Sequence, residues 1–519
     1  MTRLTTALVA ATAAACAFGF VPTAEAVADT NQPVLAVHRT DRIAEGTTTR
    51  SGPRTWHVLV GGQSKDRAVQ AEGYYPHVIT IDAGDTVVWT LNTTEIHAVA
   101  FAGTCEEVSC IPPDCFTVNI DASPCGPPTY DGVTAWDSSG RMVPPGYNWD
   151  SSVPHGGTTF SLTFTRPGAN IYFDLSYAGM RGVVIVNPAG TPYPRTAAQY
   201  AAQARQQLKA DLAAGARARA HGPQVTTSAN PGGTNTYHVA VGASARNRAK
   251  AVLRSAPGSA AHGSALLDGS GIGASADPAI NVKIRLSGLA PGSTHAVQIL
   301  PGVCGAPAPT SGIIFSQLFV PPTFTLNRVT AGPDGTAAGT TAVTAPPNYN
   351  GPGQLRIPSA GWFVNVAAGP VPDNGATSAA CGNVTFHAAT VMRYFPQDVR
   401  VHVGDTVVWT NDTSEVHGVT FLAGQPLPQI PEWYSSSPTG NGVNYDGSTM
   451  FNSGPLYAAD AGRNHSVALT FAKTGTFHYV DVGDFLLGMQ GKVRVVPPRA
   501  HPDTAHFHGG RPEGTRAVR

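Results

Sequence analysis

The chain has 519 residues, of which 33 Lys and Arg balance 33 Asp and Glu, so its formal net charge is zero. That balance, with charged residues at only 13%, argues against a nucleic-acid or acidic-surface partner, which needs a basic excess. The length suits three domains of ordinary size, and 57 Gly with 43 Pro fit many turns between short strands.

In chain order, residues 1–26 read as a secretory signal: Arg3 gives the positive start, LTTALVAATAAACAFGF is the apolar core, and Ala24-Glu25-Ala26 is a small-x-small cleavage site, with cleavage after Ala26. The alanine-rich apolar run is too short for a membrane anchor, and no later stretch is apolar enough to span a bilayer. A lipoprotein reading through Cys16 lacks the Leu three residues before it. The expected location is secreted or cell-surface. Residues 27–53 are an irregular lead-in. Residues 54–190 open on the alternating strand TWHVLVGG and close on GVVIVNP. Within them Cys105, Cys110, Cys115 and Cys125 crowd one loop, and in an exported chain two disulfides of undetermined pairing fit better than a metal knot without a Cys-x-x-Cys pair.

Residues 195–221, rich in Ala, Gln, Leu and Arg and free of proline after Thr196, predict a helix, read as a spacer packed on the first domain. Residues 234–250 (TYHVAVGASARNRA) then repeat the opening strand TWHVLVGGQSKDRA, although the rest of that second copy arrives only at 383–498. The segment 255–382 is accordingly an insertion into the second copy or a domain just before it. Residues 499–519 form a polar tail whose His501, His506 and His508 could catch metal ions, though its composition is that of a disordered end.

The duplication is most explicit around one histidine. YYPHVITIDAGDTVVWTLNTTEIHAVAF (74–101) aligns without a gap to YFPQDVRVHVGDTVVWTNDTSEVHGVTF (394–421), matching His97 to His417. YDGVTAWDSSG answers YDGSTMFNSG, and LTFTRPGANIYFDLSYAGMRGVVIV answers LTFAKTGTFHYVDVGDFLLGMQGKVRVV. These motifs resemble the plastocyanin-like cupredoxins: a GDTVVW-type strand, a His after a polar turn, an [FW][DN]SG segment, and a last loop ending in Gly-Met-x-Gly. The segment 255–382, through INVKIRLSGLAPGSTHAVQILPGVCG and IPSAGWFVNVAAGP, resembles the superoxide-dismutase-like and CHRD sandwiches. The resemblance implies an all-β chain of two Greek-key cupredoxin-like sandwiches and a central β-sandwich, with one linker helix. It also implies a Cys304–Cys381 disulfide. With His295 the one histidine left in the relevant strand, dismutase activity does not follow.

The departure from the family concerns the ligands. In blue-copper members these are the early His, then Cys, His and Met of the last loop. The Gly-Met-x-Gly register puts Asp174 and Asp481 where the Cys should be, and Tyr177 and Asp484 where the second His should be. The implied sets are His97, Asp174 and Met180 in the first copy, and His417, Asp481, Asp484 and Met489 in the second. Carboxylate oxygen is a hard donor suited to Cu(II), Zn(II) or Mn(II), so copper or another divalent ion is the expected cofactor, with no blue centre. For the first copy a metal-free site is an equal expectation. Two readings stand for each site: a bound divalent ion, or a His–Asp hydrogen-bonded pair filling a lost pocket. Glu95 and Glu415 precede the histidines, as partners of the imidazoles or as exposed loop charges. The expected function is an exported metal-binding protein, with a metal-free interaction or adhesion scaffold as the alternative. Oxidase chemistry ranks low, because the one His-x-His lies in the tail, and an enzyme is the weaker expectation.

Overall fold

The computed structural model describes residues 52–101, 128–132, 137–144, 157–174, 177, 179–245, 247–270, 279–309, 323–344, 355–430, 433 and 443–499. The segment read as a secretory signal, the four-cysteine loop and the histidine tail lie outside these residues.

Each repeat folds as two facing sheets. In the first, strands Thr55–Gln63, Val69–Tyr75, Thr86–Leu91 and Thr159–Phe164 join one sheet, and Val78–Asp82, Arg181–Asn187, Gly168–Phe173, His97–Phe101 and Asp137–Met142 form the other. The second repeats that order with Asn235–Ser244, Ala389–Phe395, Thr406–Asn411 and Ser466–Phe471 facing Asp398–His402, Gln490–Val496, Gly475–Val480, Thr420–Phe421 and Phe451–Asn452. Alternation turns one side of each strand inward, so Thr86–Leu91 and Thr406–Asn411 both bury every second residue. Trp89 and Trp409 sit fully buried between the sheets, with Tyr172 and Tyr479 each packed 5.3 Å away.

The Gly-Asp of the repeated motif has a structural task. Gly84 (φ +98°) and Gly404 (φ +90°) take left-handed turns that side chains resist. The next residue then pins the opening strand: Asp85 accepts Arg54 N at 2.7 Å and Trp56 Nε1 at 2.9 Å, and Asp405 accepts Asn235 N at 2.8 Å. This places Asn235–Ser244 parallel to Thr406–Asn411, with Val239 against Trp409, as Val58 lies against Trp89 in the first copy. The second copy is therefore closed by a strand that precedes it by a whole domain, and the intervening segment is an insertion.

That insertion is one eight-stranded sheet around a single apolar core. It runs from Arg248–Ser255 to Ser378–Thr385, broader than 255–382, because RAKAVLRS buries its Ala249, Ala251 and Leu253 in the middle core. Asn327, on the edge strand Phe324–Thr330, bonds Thr340 O and Thr341 Oγ1 of the opposite edge, Ala337–Thr344, bringing the ends of the sheet together. Cys304 and Cys381 form a disulfide, Cα–Cα 5.7 Å. His295 is buried and satisfied by Ala367 O and Ser293 Oγ, each at 2.8 Å.

The two copies meet edge to edge. Val69–Tyr75 pairs antiparallel with Ala389–Phe395, joining their first sheets into one of eleven strands. In that pairing Gln70 faces Thr390, its structural counterpart, since Gln70 pairs with Gln63 as Thr390 pairs with Ser244, so a local pseudo-two-fold passes between them. The helix Ala197–Ala220, capped by Thr196 and Gln199, lies across this seam and contacts both copies, where the sequence suggested the first alone. Its buried Asp211 accepts Tyr75 OH from one copy and His387 Nδ1 from the edge of the other, both at 2.7 Å. Gly215 sits where a Cβ would collide with Val69 and crowd Ala389. The Val69 and Ala389 side chains of the two copies already fill the space that a side chain there would need.

Candidate metal centres

The second copy places His417 at the start of its polar loop exit. Asn411 builds the preceding turn: its amide donates to Glu415 O (2.7 Å) and Leu456 O (2.8 Å), and its oxygen accepts Thr413 N and Oγ1. His417 then exchanges backbone bonds with Leu456. Asp481 follows strand Gly475–Val480, and its N–H donates to Met489 O at 3.0 Å, so the last loop closes on itself. Asp481 Oδ1 takes Gly483 N (2.9 Å) and Asp484 N (3.3 Å), which turns Asp484 inward.

The three side chains converge on one atom. His417 Nδ1 lies 3.2 Å from Asp481 Oδ2 and 2.9 Å from Asp484 Oδ2. Asp481 Oδ2 also accepts Gly418 N at 2.8 Å. His417 and Asp481 are fully buried and Asp484 is nearly so. Among the described residues this is the group of three His, Cys, Asp or Glu whose ligand atoms all lie within 4.8 Å of one another. Burial alone would push the imidazole down, but hydrogen bonds and charge from Asp481 and Asp484 outweigh it and hold His417 well above its usual range. Burial and the neighbouring Asp481 lift Asp484 to about 6.

In the first copy His97 Nδ1 meets Asp174 Oδ2 at 2.9 Å, and Asp174 also accepts Ala98 N at 3.0 Å. The second carboxylate is missing: Tyr177 stands there, its ring 4.7 Å from the imidazole. The inserted domain seals this loop, since Ser359 Oγ accepts Arg181 N and donates to Arg181 O, each at 3.0 Å, and Ser359 N donates to Gly179 O. Met180 and Met489 are fully buried with side chains in the two sandwich cores, and each offers its backbone oxygen to the nearby Asp. Cys105, Cys110, Cys115 and Cys125 are outside the described residues.

Residues that site reasoning passed over surround both imidazoles. Tyr74 and Tyr394 donate to Ala98 O and Gly418 O, tying the strand after each histidine to the motif's own first residue. Gly61 (φ +66°) and Gly242 (φ +76°) face the far ring nitrogens: a Cβ there would lie 2.8 Å from His97 Nε2 and 3.0 Å from His417 Nε2. Trp433 packs on Gly418 and Gly483, covering the Asp481 loop of the second copy. The repeated tyrosine and glycine were visible as matched letters in the two copies; the Trp has no such signal. Glu95 and Glu415 are not exposed loop charges, being 2% and 8% exposed, because Thr93 and Thr413 fold the turn inward by accepting their N–H groups. Glu95 Oε2 lies 3.7 Å from His97 Nε2. Burial, then Asp484, Glu72 and Asp174, push Glu95 well above the usual carboxylate range; burial, Glu72 and Glu95 do the same to Glu415.

The copper binding proteins of the plastocyanin/azurin family match residues 381–496. Similar solved structures include an oxidized amicyanin variant (25% identity) and the reduced Cu(I) form at pH 4 of another amicyanin variant (26% identity). Each covers 20% of this chain and 74% of its own, with a TM-score of 0.14. No curated protein matches the chain. Residues 381–496 are a cupredoxin-like domain of the copper-binding kind.

Proposed function

We propose that the protein is an exported carrier of copper or another divalent ion. The ion would be held in the second cupredoxin-like domain by His417 Nδ1, Asp481 and Asp484, with Met489 on the loop that closes beside them and no blue centre. One observation carries this reading: two buried carboxylates face a single imidazole nitrogen at 3.2 and 2.9 Å. Ligands about 2.1 Å from a divalent ion stand roughly 3.0–3.4 Å apart, so little movement separates the present geometry from a coordinated one. Two carboxylates balance the divalent charge, and the missing thiolate leaves the site without the covalency that blue centres use. No step of catalysis is assigned to it.

The first copy favours the other reading. His97 and Asp174 form a closed pair, Tyr177 fills the third position, and Ser359 fastens the loop. That copy serves as a metal-free structural partner, and the inserted eight-stranded domain as its brace and as an extracellular interaction surface.

The test is metal counting by elemental analysis on mature protein exposed to zinc or copper and desalted, with a visible spectrum. Bound ion without an intense blue band, lost in His417→Ala, is expected. An intense blue band, or an ion count untouched by His417→Ala and by Asp484→Asn, would overturn it.

A further inference from the structure

The zero net charge of the chain is an average, and it conceals a local excess in the inserted domain. Between residues 248 and 385 the sequence carries seven Lys and Arg against four Asp and no Glu. Strand pairing decides where these charges stand. Arg248–Ser255, His262–Asp268 and Ala279–Ser287 lie side by side in unbroken register, and alternation sends one set of side chains to the core and the other to water. The outward set includes Lys250 and Arg254 on the first strand and Lys283 and Arg285 on the third, all exposed. Lys250 lies beside Leu266 and Leu266 beside Lys283; Val252 lies beside Ser264 and Ser264 beside Arg285. Four cations therefore frame an area about 10 Å across the strands and about 13 Å along them.

Two further observations say what this face meets. Among the described residues none of the four cations pairs with a carboxylate, and Asp268, the acid on these strands, is already held by Arg248 Nε at 3.1 Å. A cluster of one sign left without counter-ions draws an anionic partner. Inside the frame stand Val252 and Leu266, 54% and 45% exposed, on adjacent strands and one row apart. Apolar side chains ringed by cations fit a surface that is anionic outside and apolar beneath. The three strands, RAKAVLRS, HGSALLD and AINVKIRLS, contain no Phe, Tyr or Trp, so they offer no such ring to stack on a nucleic-acid base.

We infer that this face of the inserted domain docks on an anionic lipid bilayer, with Lys250, Arg254, Lys283 and Arg285 on the headgroups and Val252 and Leu266 at the acyl boundary. The inference rests on the reading of this domain as an interaction surface and is independent of the metal site. The charge balance that argued against an acidic surface is struck by acids elsewhere in the chain. The field of an exposed charge decays within a Debye length, about 10 Å at 0.1 M salt, so distant acids do not cancel the local one. Attachment of this kind needs no spanning segment, and among the described residues no helix is long and apolar enough to cross a membrane.

Cosedimentation of the full mature chain with lipid vesicles tests this. Wild type should bind vesicles of phosphatidylcholine mixed with phosphatidylglycerol, should ignore phosphatidylcholine alone, and should be released near about 1 M salt. A cation close to such a surface is worth about fivefold in binding, so the combined Lys250→Gln/Arg254→Gln/Lys283→Gln/Arg285→Gln variant should bind roughly 500-fold more weakly. That variant should keep the melting temperature and zinc count of wild type, since only exposed side chains without carboxylate partners change. Val252→Ser/Leu266→Ser should weaken vesicle binding about tenfold and leave retention on the soluble polyanion heparin unchanged. Vesicle binding that the four-Gln variant keeps, or that phosphatidylcholine alone supports equally, overturns the inference. Heparin retention lost in the four-Gln variant, without vesicle binding by wild type, overturns the bilayer and leaves the interaction surface standing. A salt-sensitive dimer in place of vesicle binding assigns the face to a second copy and overturns the bilayer too. Wild type that binds neither vesicles nor heparin and stays monomeric overturns both the bilayer and the interaction surface.

Discussion

Asp481→Asn is the most discriminating single change, because the structure sets its cost. Asp481 accepts four N–H groups: Gly418 N and His417 Nδ1 on Oδ2, Gly483 N and Asp484 N on Oδ1. An asparagine has one acceptor oxygen, so whichever way it turns, two donors face an NH2 group. Each lost bond to a charged acceptor costs roughly 1.5–3 kcal/mol. The expected destabilisation is therefore about 3–6 kcal/mol in chelator, read from urea unfolding. Asp484→Asn can keep its one oxygen on His417 Nδ1, so it removes the charge of that contact and relieves one of two adjacent carboxylates. It should cost about 1–2 kcal/mol by the same rule. Both should lose the ion at the Nδ1 site. The ranking refutes the reasoning if it inverts, or if Asp481→Asn costs less than about 1 kcal/mol, which would mean that the Asp481 oxygens are not the hub of the loop.

Three further outcomes follow from the same geometry. His417 is held above its ordinary value of 6.5, so its ion pair with Asp481 is in place below pH 6.5 and fades as pH rises through the folded value, while the pair with Asp484 also weakens as pH falls through about 6. Zinc at Nδ1 must displace that proton, so its affinity should rise about tenfold per pH unit from 6.5 toward that value, measured by calorimetric titration. A flat profile between pH 6.5 and 7.5 would contradict a protonated His417 in the metal-free protein. Gly242→Ala forces a Cβ to 2.6 Å from Thr413 Cγ2 and 3.0 Å from His417 Nε2 in a left-handed backbone. It should cost about 1–3 kcal/mol and weaken metal binding, checked by urea unfolding and zinc titration. Cys304→Ser opens a loop of sequence separation 77. The middle domain should lose about 4 kcal/mol by loop entropy, seen as an earlier unfolding transition, while zinc counts stay unchanged.

Much of this protein is written locally. Alternating apolar residues and the Gly-Asp turn are short-range signals that sufficed for an all-β class, and the resemblance of the GDTVVW, [FW][DN]SG and Gly-Met-x-Gly motifs implied the cupredoxin-like character that the copper-binding family match shows at 381–496. Position in a loop motif likewise singled out His417, Asp481 and Asp484, since a two-residue difference in register would point them elsewhere. Several features could not be read this way because they depend on contacts far apart in sequence. The pairing of Gln70 with Thr390 arises from sheet edges that meet only after both copies fold. Glu72 carries no motif, and its burial follows from that seam. The boundary at Arg248 moved because a strand pattern states that one face is buried and not which core receives it. The sequence, then, determined which atoms are available as ligands, since residue type fixes donor chemistry. The tertiary structure alone decided which nitrogen of each imidazole meets which acid, because a ring's two faces are assigned by packing and not by the letter His.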